Sequence, residues 1–182
     1  MIKPELHYLD ETPLVPNSKL PLVIYRGALT HCENEDAIKE ALEANGGWKK
    51  GGAWNAWFKA HFHPNAHECY GVVQGSSELS LGRSPLDPPS KGMLLKVNRG
   101  DVIVLPAGVS HCSSTASPDY RFVVLFPTGA PRWVSVWFDQ PMESVSDYQS
   151  QSQRVSLPSH DPLYGEGAGL IETWKTVLAG GK

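Results

Sequence analysis

Glycine and proline interrupt this sequence so closely that they restrict its fold class before any other feature is weighed. A chain with 17 Gly and 15 Pro cannot be a coiled coil or an all-helical bundle. Inside a helix Gly costs about 1 kcal/mol and Pro about 3 kcal/mol relative to Ala. Breaks at Gly75, Gly82, Pro85, Pro88-Pro89, Gly100, Pro106, Gly108, Pro118 and Pro127 separate short apolar segments. Leu20–Tyr25, Ala53–His63, Glu68–Val73, Glu78–Arg83, Gly92–Val97, Asp101–Leu105, Tyr120–Phe126 and Arg132–Phe138 all have the composition of strands. Short strands at even spacing predict an all-β sandwich or jelly-roll β-barrel. At 182 residues and 41% hydrophobic content, such a chain can bury a core without disulfide or metal staples.

Helical spacing occurs in two places. Asn34 is placed to cap a helix carrying Ile38, Ala41 and Leu42, stopped by Asn45-Gly46-Gly47. Leu170, Ile171, Trp174, Val177 and Leu178 form a second, ended by Gly180-Gly181. Ser144–Pro158, polar and rich in Ser and Gln, reads as a long loop. The expected organisation is one domain over 1–182. Residues 1–50 form an N-terminal arm with the short helix, 51–140 the barrel core, and 141–182 an irregular C-terminal arm.

A net charge of −3 and a pI near 6.1 supply no electrostatic footprint for nucleic acid or an anionic membrane. Apolar runs such as Val102–Leu105 and Phe122–Phe126 are too short to cross a bilayer. Cys32, Cys69 and Cys112 contain no Cys-x-x-Cys pair, and Met1–Leu20 lacks secretory character. A soluble, cytoplasmic protein with reduced thiols is expected. Neither a Gly-rich phosphate loop, nor a Gly-x-Ser-x-Gly elbow, nor a basic–aromatic stripe occurs.

The chemistry concentrates in the histidines. Three of the seven fall within Ala60-His61-Phe62-His63-Pro64-Asn65-Ala66-His67-Glu68. Strand alternation aims His61 and His63 at one face, and Pro64–His67 makes a turn. Glu68 opens the next strand, and His111 follows Gly100–Gly108. Three imidazoles and a carboxylate make a mixed donor set suited to Fe, Mn, Co, Ni or Zn. His67 competes with Glu68 for the fourth place, because strand neighbours face opposite ways and only one can reach the ion.

These residues resemble the cupin superfamily. Its first motif, His-x-His…Glu…Gly, corresponds to His61, His63, Glu68 and Gly75; its second, Gly…Pro-x-Gly…His, corresponds to Gly100, Pro106, Gly108 and His111. One departure is Thr115, where the family often has Asn four residues after the second-motif His; that position is not a ligand. Pro21–Leu29, Ala44–Trp48, Ala66-His67-Glu68, Asp161–Gly165 and Trp174 look like the YjlB-like single-domain cupins. The resemblance implies a single jelly-roll barrel and a divalent transition metal, Fe or Mn preferred, on His61, His63, Glu68 and His111. The family spacing to Gly75 favours Glu68 over His67.

By resemblance, oxygenases, decarboxylases and isomerases use this site, and relatives are often homodimers. The expected function is a metal-dependent enzyme on a small organic molecule, with dioxygenase-type chemistry preferred. The alternatives are a non-catalytic metal-stabilised binding module and a cupin isomerase or decarboxylase. Tyr70 shares parity with Glu68 and is a candidate proton donor. Lys59 and Trp57 share parity with His61 and His63; the Lys59 ammonium would hold an anionic substrate, and Trp57 would line the cavity. Trp48, Trp54, Trp133, Trp137 and Trp174 read as packing, as do Cys69 and Cys112.

Overall fold

Strands whose two faces are both covered read as unbroken apolar runs, and four such runs form the middle of this protein. The computed structural model describes residues 1–139, 144–167 and 169–180. Its strands are β1 Glu5–Leu9, β2 Ser18–Tyr25, β3 Trp48–Asn55, β4 His61–Phe62, β5 Glu68–Gln74 and β6 Ser76–Leu81. They continue with β7 Met93–Asn98, β8 Val102–Leu105, β9 His111–Ala116, β10 Arg121–Pro127 and β11 Val136–Trp137. One sheet has the order β1-β2-β8-β5-β10-β3 and the other β11-β4-β9-β6-β7, with every pairing antiparallel. The two form an antiparallel jelly roll.

Residue parity separates two cores. Leu22 and Ile24 of β2, Ile103 and Leu105 of β8, and Phe122 and Val124 of β10 meet Leu79, Leu81, Leu95 and Val97 of the second sheet inside the barrel. Their strand neighbours Val23, Tyr25, Val102, Val104, Val123 and Leu125 face outward, under two helices. Helix α1, Glu35–Glu43, contributes Ile38 and Leu42, and the Asn34 side chain accepts from Ala37 N–H at its N-terminus. The C-terminal helix contributes Leu170, Ile171 and Trp174.

The structure departs from the sequence expectations in several places. Ala53–His63 is two strands, because 56–60 leaves the first sheet and crosses to the second. Arg132–Phe138 shrinks to β11. The polar β9 has no alternation to announce it. The barrel extends beyond 51–140, since β1 and β2 join the six-stranded sheet.

The C-terminal arm is largely ordered rather than irregular. The expected loop at Ser144–Pro158 contains α2, Val145–Gln153. A ribbon of β12, His160–Asp161, and β13, Gly165–Glu166, precedes α3, Leu170–Leu178. Asp161, fully buried, ties this arm down: it accepts from Leu163, Tyr164 and Leu170 N–H and from the Tyr25 hydroxyl. Gly169 stands at φ +48°, where an added Cβ would collide with Asp161 and Tyr25. Gly181 lies outside the described residues. Among those described, no helix is long and apolar enough to cross a membrane.

Cys32, Cys69 and Cys112 are free thiols. Burial pushes the Cys69 thiol well above its ordinary range. Denaturation without reductant should therefore titrate all three, while Cys69 stays unreactive in the native protein; a lower denatured count would contradict free thiols.

Candidate metal centre

Sheet register brings the two motifs together. His61 on β4 pairs directly with His111 on β9, and the His63 carbonyl accepts from Gly108 N–H at 2.8 Å. Glu68 starts β5 opposite Leu105 of β8, and so reaches the centre from the other sheet. One ligand nitrogen from each of His61, His63 and His111 lies within 4.8 Å of the others. Glu68 Oε1 is 3.5 Å from His63 Nε2, and Oε2 is 3.2 Å from His111 Nε2.

Backbone carbonyls decide which nitrogen each imidazole offers. His61 Nδ1 lies 3.1 Å from Lys59 O, His63 Nδ1 2.8 Å from Val134 O, and His111 Nδ1 3.0 Å from Val109 O. A carbonyl only accepts, so Nδ1 must carry the proton in all three rings. Each neutral ring then keeps its Nε2 lone pair for the centre, as metal-binding histidines are held. His111 Nε2 and Glu68 Oε2 are buried without a hydrogen-bond partner. Orphans of this kind, aimed at one point, fit a divalent cation.

The charges agree. Burial, with His111 and His63 alongside, lowers His61 to about 3. Burial acts the same way on His63, but the Glu68 carboxylate outweighs it and raises the group. Glu68 is buried, which works against its ionisation, yet His63 and His111 hold it well below the usual carboxylate range. A cation would take the place of the proton that these groups otherwise share.

His67 faces the other side of β5. Its Nδ1 accepts from Ala107 N–H at 3.0 Å, and its ring packs 4.7 Å from that of Trp174. Burial lowers it to about 4, from an ordinary value of 6.5. The unfolded chain therefore takes up a proton below 6.5 that the folded chain refuses. Stability present above pH 6.5 is lost as the pH falls toward 4, by on the order of 3 kcal/mol. In metal-free protein the urea midpoint should drop between pH 7 and 4.5, and His67→Gln should lessen that drop. An equal drop in both would contradict it.

Above the histidines lies a cavity of about 160 Å³. Trp57 lines it, as does Tyr70, whose ring meets His111 edge-on at 5.9 Å. Burial and Glu68 push the Tyr70 phenol well above its ordinary range, so it keeps its proton. Lys59 does not point inward. The stretch before His61 is not a strand, so parity fails there, and the ammonium sits outside, 2.7 Å from Asp139 and over the Trp137 ring.

Trp54, Trp133 and Trp137 also line the cavity rather than packing elsewhere. Trp137 pairs with His61 across β11 and β4 and stacks on its ring at 4.4 Å. Sequence reasoning missed these walls, although Gly51-Gly52 was a signal. A Cβ at Gly52 would strike the Trp54 indole, and one at Gly51 would strike Phe126. Thr115 is exposed on β9, away from the site.

Comparison with known proteins gives three findings. The family pattern described as Cupin matches residues 52–144. The uncharacterized protein YjlB of Bacillus subtilis (strain 168) is 25% identical over 174 residues, which cover 93% of this chain and 96% of that protein. An 11S globulin structure from Wrightia tinctoria is 18% identical over 59% of this chain and 30% of its own length, with a TM-score of 0.38.

Proposed function

This chain belongs to the cupin family, and from that premise we propose that it is a metal-dependent enzyme acting on a small organic molecule by dioxygenase-type chemistry. The observation that carries the reading is the convergence of one ring nitrogen from each of His61, His63 and His111 with Glu68 at a cavity with room for a ligand. His61, His63, His111 and Glu68 would hold the ion, and their mixed donors suit Fe or Mn. When bound, such an ion supplies redox and Lewis-acid chemistry.

The chain's own residues do the rest. The three carbonyl-held rings and the Trp137 stack fix the donors in place. The aromatic walls give the site an apolar surround. Tyr70 holds a proton on its hydroxyl beside Glu68, in reach of a ligand oxygen in the cavity.

The aromatic crowding of the cavity favours a second reading, a binding module without turnover. Oxygen uptake separates the two. Protein loaded with Fe(II) or Mn(II) is assayed against a panel of chelating acids and diols. The enzyme reading predicts uptake that needs both metal and one class of substrate. Tight ligand binding with neither uptake nor chemical change of the ligand, for any loaded metal, would leave the module.

A further inference from the structure

We propose that the barrel cavity selects an uncharged, flat, single-ring aromatic molecule that presents a phenolic oxygen toward His61, His63, His111 and Glu68. This inference rests on the metal reading above and names the substrate class for the same site.

Three observations carry it. The first is charge. Among the described residues lining the cavity, Glu68 is the only charged side chain, and it is turned to His63 and His111. Lys59, the nearest cation by sequence, is paired with Asp139 outside. A ligand body carrying its own carboxylate or phosphate would be desolvated against these walls without a partner.

The second is shape. Phe126 and Trp133 stack in parallel at 4.3 Å, and Tyr70 and Phe122 meet at 4.6 Å, so rigid ring pairs form the wall. A flat ring offers such walls face and edge contacts that a puckered ring cannot. The third is volume. The cavity measures about 160 Å³. An apolar cavity of about 150 Å³ in another protein accepts benzene. That volume matches one ring. The side-chain hydroxyls on the wall beyond the ligand set are those of Tyr70 and Ser135, beside the indole N–H donors of the tryptophans. That count suits one or two phenolic oxygens.

The test is calorimetric titration of the zinc-loaded protein, because zinc does no redox chemistry and binding is read without turnover. The probes are catechol, cyclohexane-1,2-diol and oxalate. Catechol should bind at least about tenfold more tightly than either, the worth of one or two aromatic contacts. This ordering opposes free zinc, which prefers the already ionised oxalate. Ser135→Trp, which adds an indole to the cavity lining at a half-buried position between β10 and β11, should keep its zinc and lose catechol binding by about tenfold or more.

Oxalate or the diol binding as tightly as catechol would overturn the inference while leaving the metal reading in place. Unchanged catechol binding by zinc-loaded Ser135→Trp would also overturn it. A chain that holds no zinc would overturn the metal reading instead. Ring selection is then read on the metal-free protein with phenol against cyclohexanol, where equal affinities would overturn the inference and a phenol preference would support it.

Discussion

Glu68→Ala should empty the metal site, while His67→Ala leaves it full. The two residues are adjacent in sequence but opposite in the fold. Glu68 is buried and places one carboxylate oxygen beside His63 Nε2 and the other beside His111 Nε2. Its removal deletes both a donor and the negative charge that partly neutralises the ion. Losing an outer-shell partner alone costs 10- to 100-fold in metal affinity, so a direct ligand should cost about 100-fold or more. His67 touches none of the donors. Its truncation strands the Ala107 N–H and opens space against Trp174, costing about 1–3 kcal/mol of stability but no metal. Metal content after identical dialysis against a weak chelator separates the variants. A full Glu68→Ala site beside an empty His67→Ala site would reverse the assignment.

Trp174→Ala should be strongly destabilising although it lies outside the site. The indole is fully buried on the outer face of the six-stranded sheet, in the cluster with Val23, Tyr25 and Val104. Its Nε1–H donates to the Pro21 carbonyl at 3.0 Å, which fixes α3 to the start of β2. Removing a buried Trp costs about 3–5 kcal/mol. That is a large share of the roughly 5–15 kcal/mol that a domain has in all. Trp174→Phe restores most of the volume and loses only the hydrogen bond, so it should recover most of the loss. Urea unfolding of the three proteins provides the measurement. Equal midpoints for wild type and Trp174→Ala would show that the arm does not brace the barrel.

The convergence of His61, His63, Glu68 and His111 was legible because its geometry is local. A two-residue strand is enough to put His61 and His63 on one side, and the spacing from Gly100 to His111 marks the matching end of β8 and start of β9. Helix α1 was equally plain, since Asn34 caps and Ile38 and Leu42 bury as their spacing requires. The cavity walls were not legible. Strands covered on both faces carry no polar face to orient them, so nothing local tells a tryptophan in the barrel from one under a helix. Lys59 failed for the opposite reason: parity was applied where no strand exists. Helix α2 was hidden because its sequence is polar on nearly every side, and of its described residues only Ser152 is buried.

Elemental analysis of wild-type protein alongside His111→Ala tests the central claim most directly. Both are produced without added metal, loaded with Mn(II) or Fe(II) and dialysed together, with circular dichroism confirming that each is folded. Wild type should retain roughly one ion per chain and His111→Ala close to none, because among the described residues that ring completes the histidine cluster with His61 and His63. A folded wild type that retains no ion, or a His111→Ala variant that retains as much as wild type, would contradict a metal centre built on these histidines.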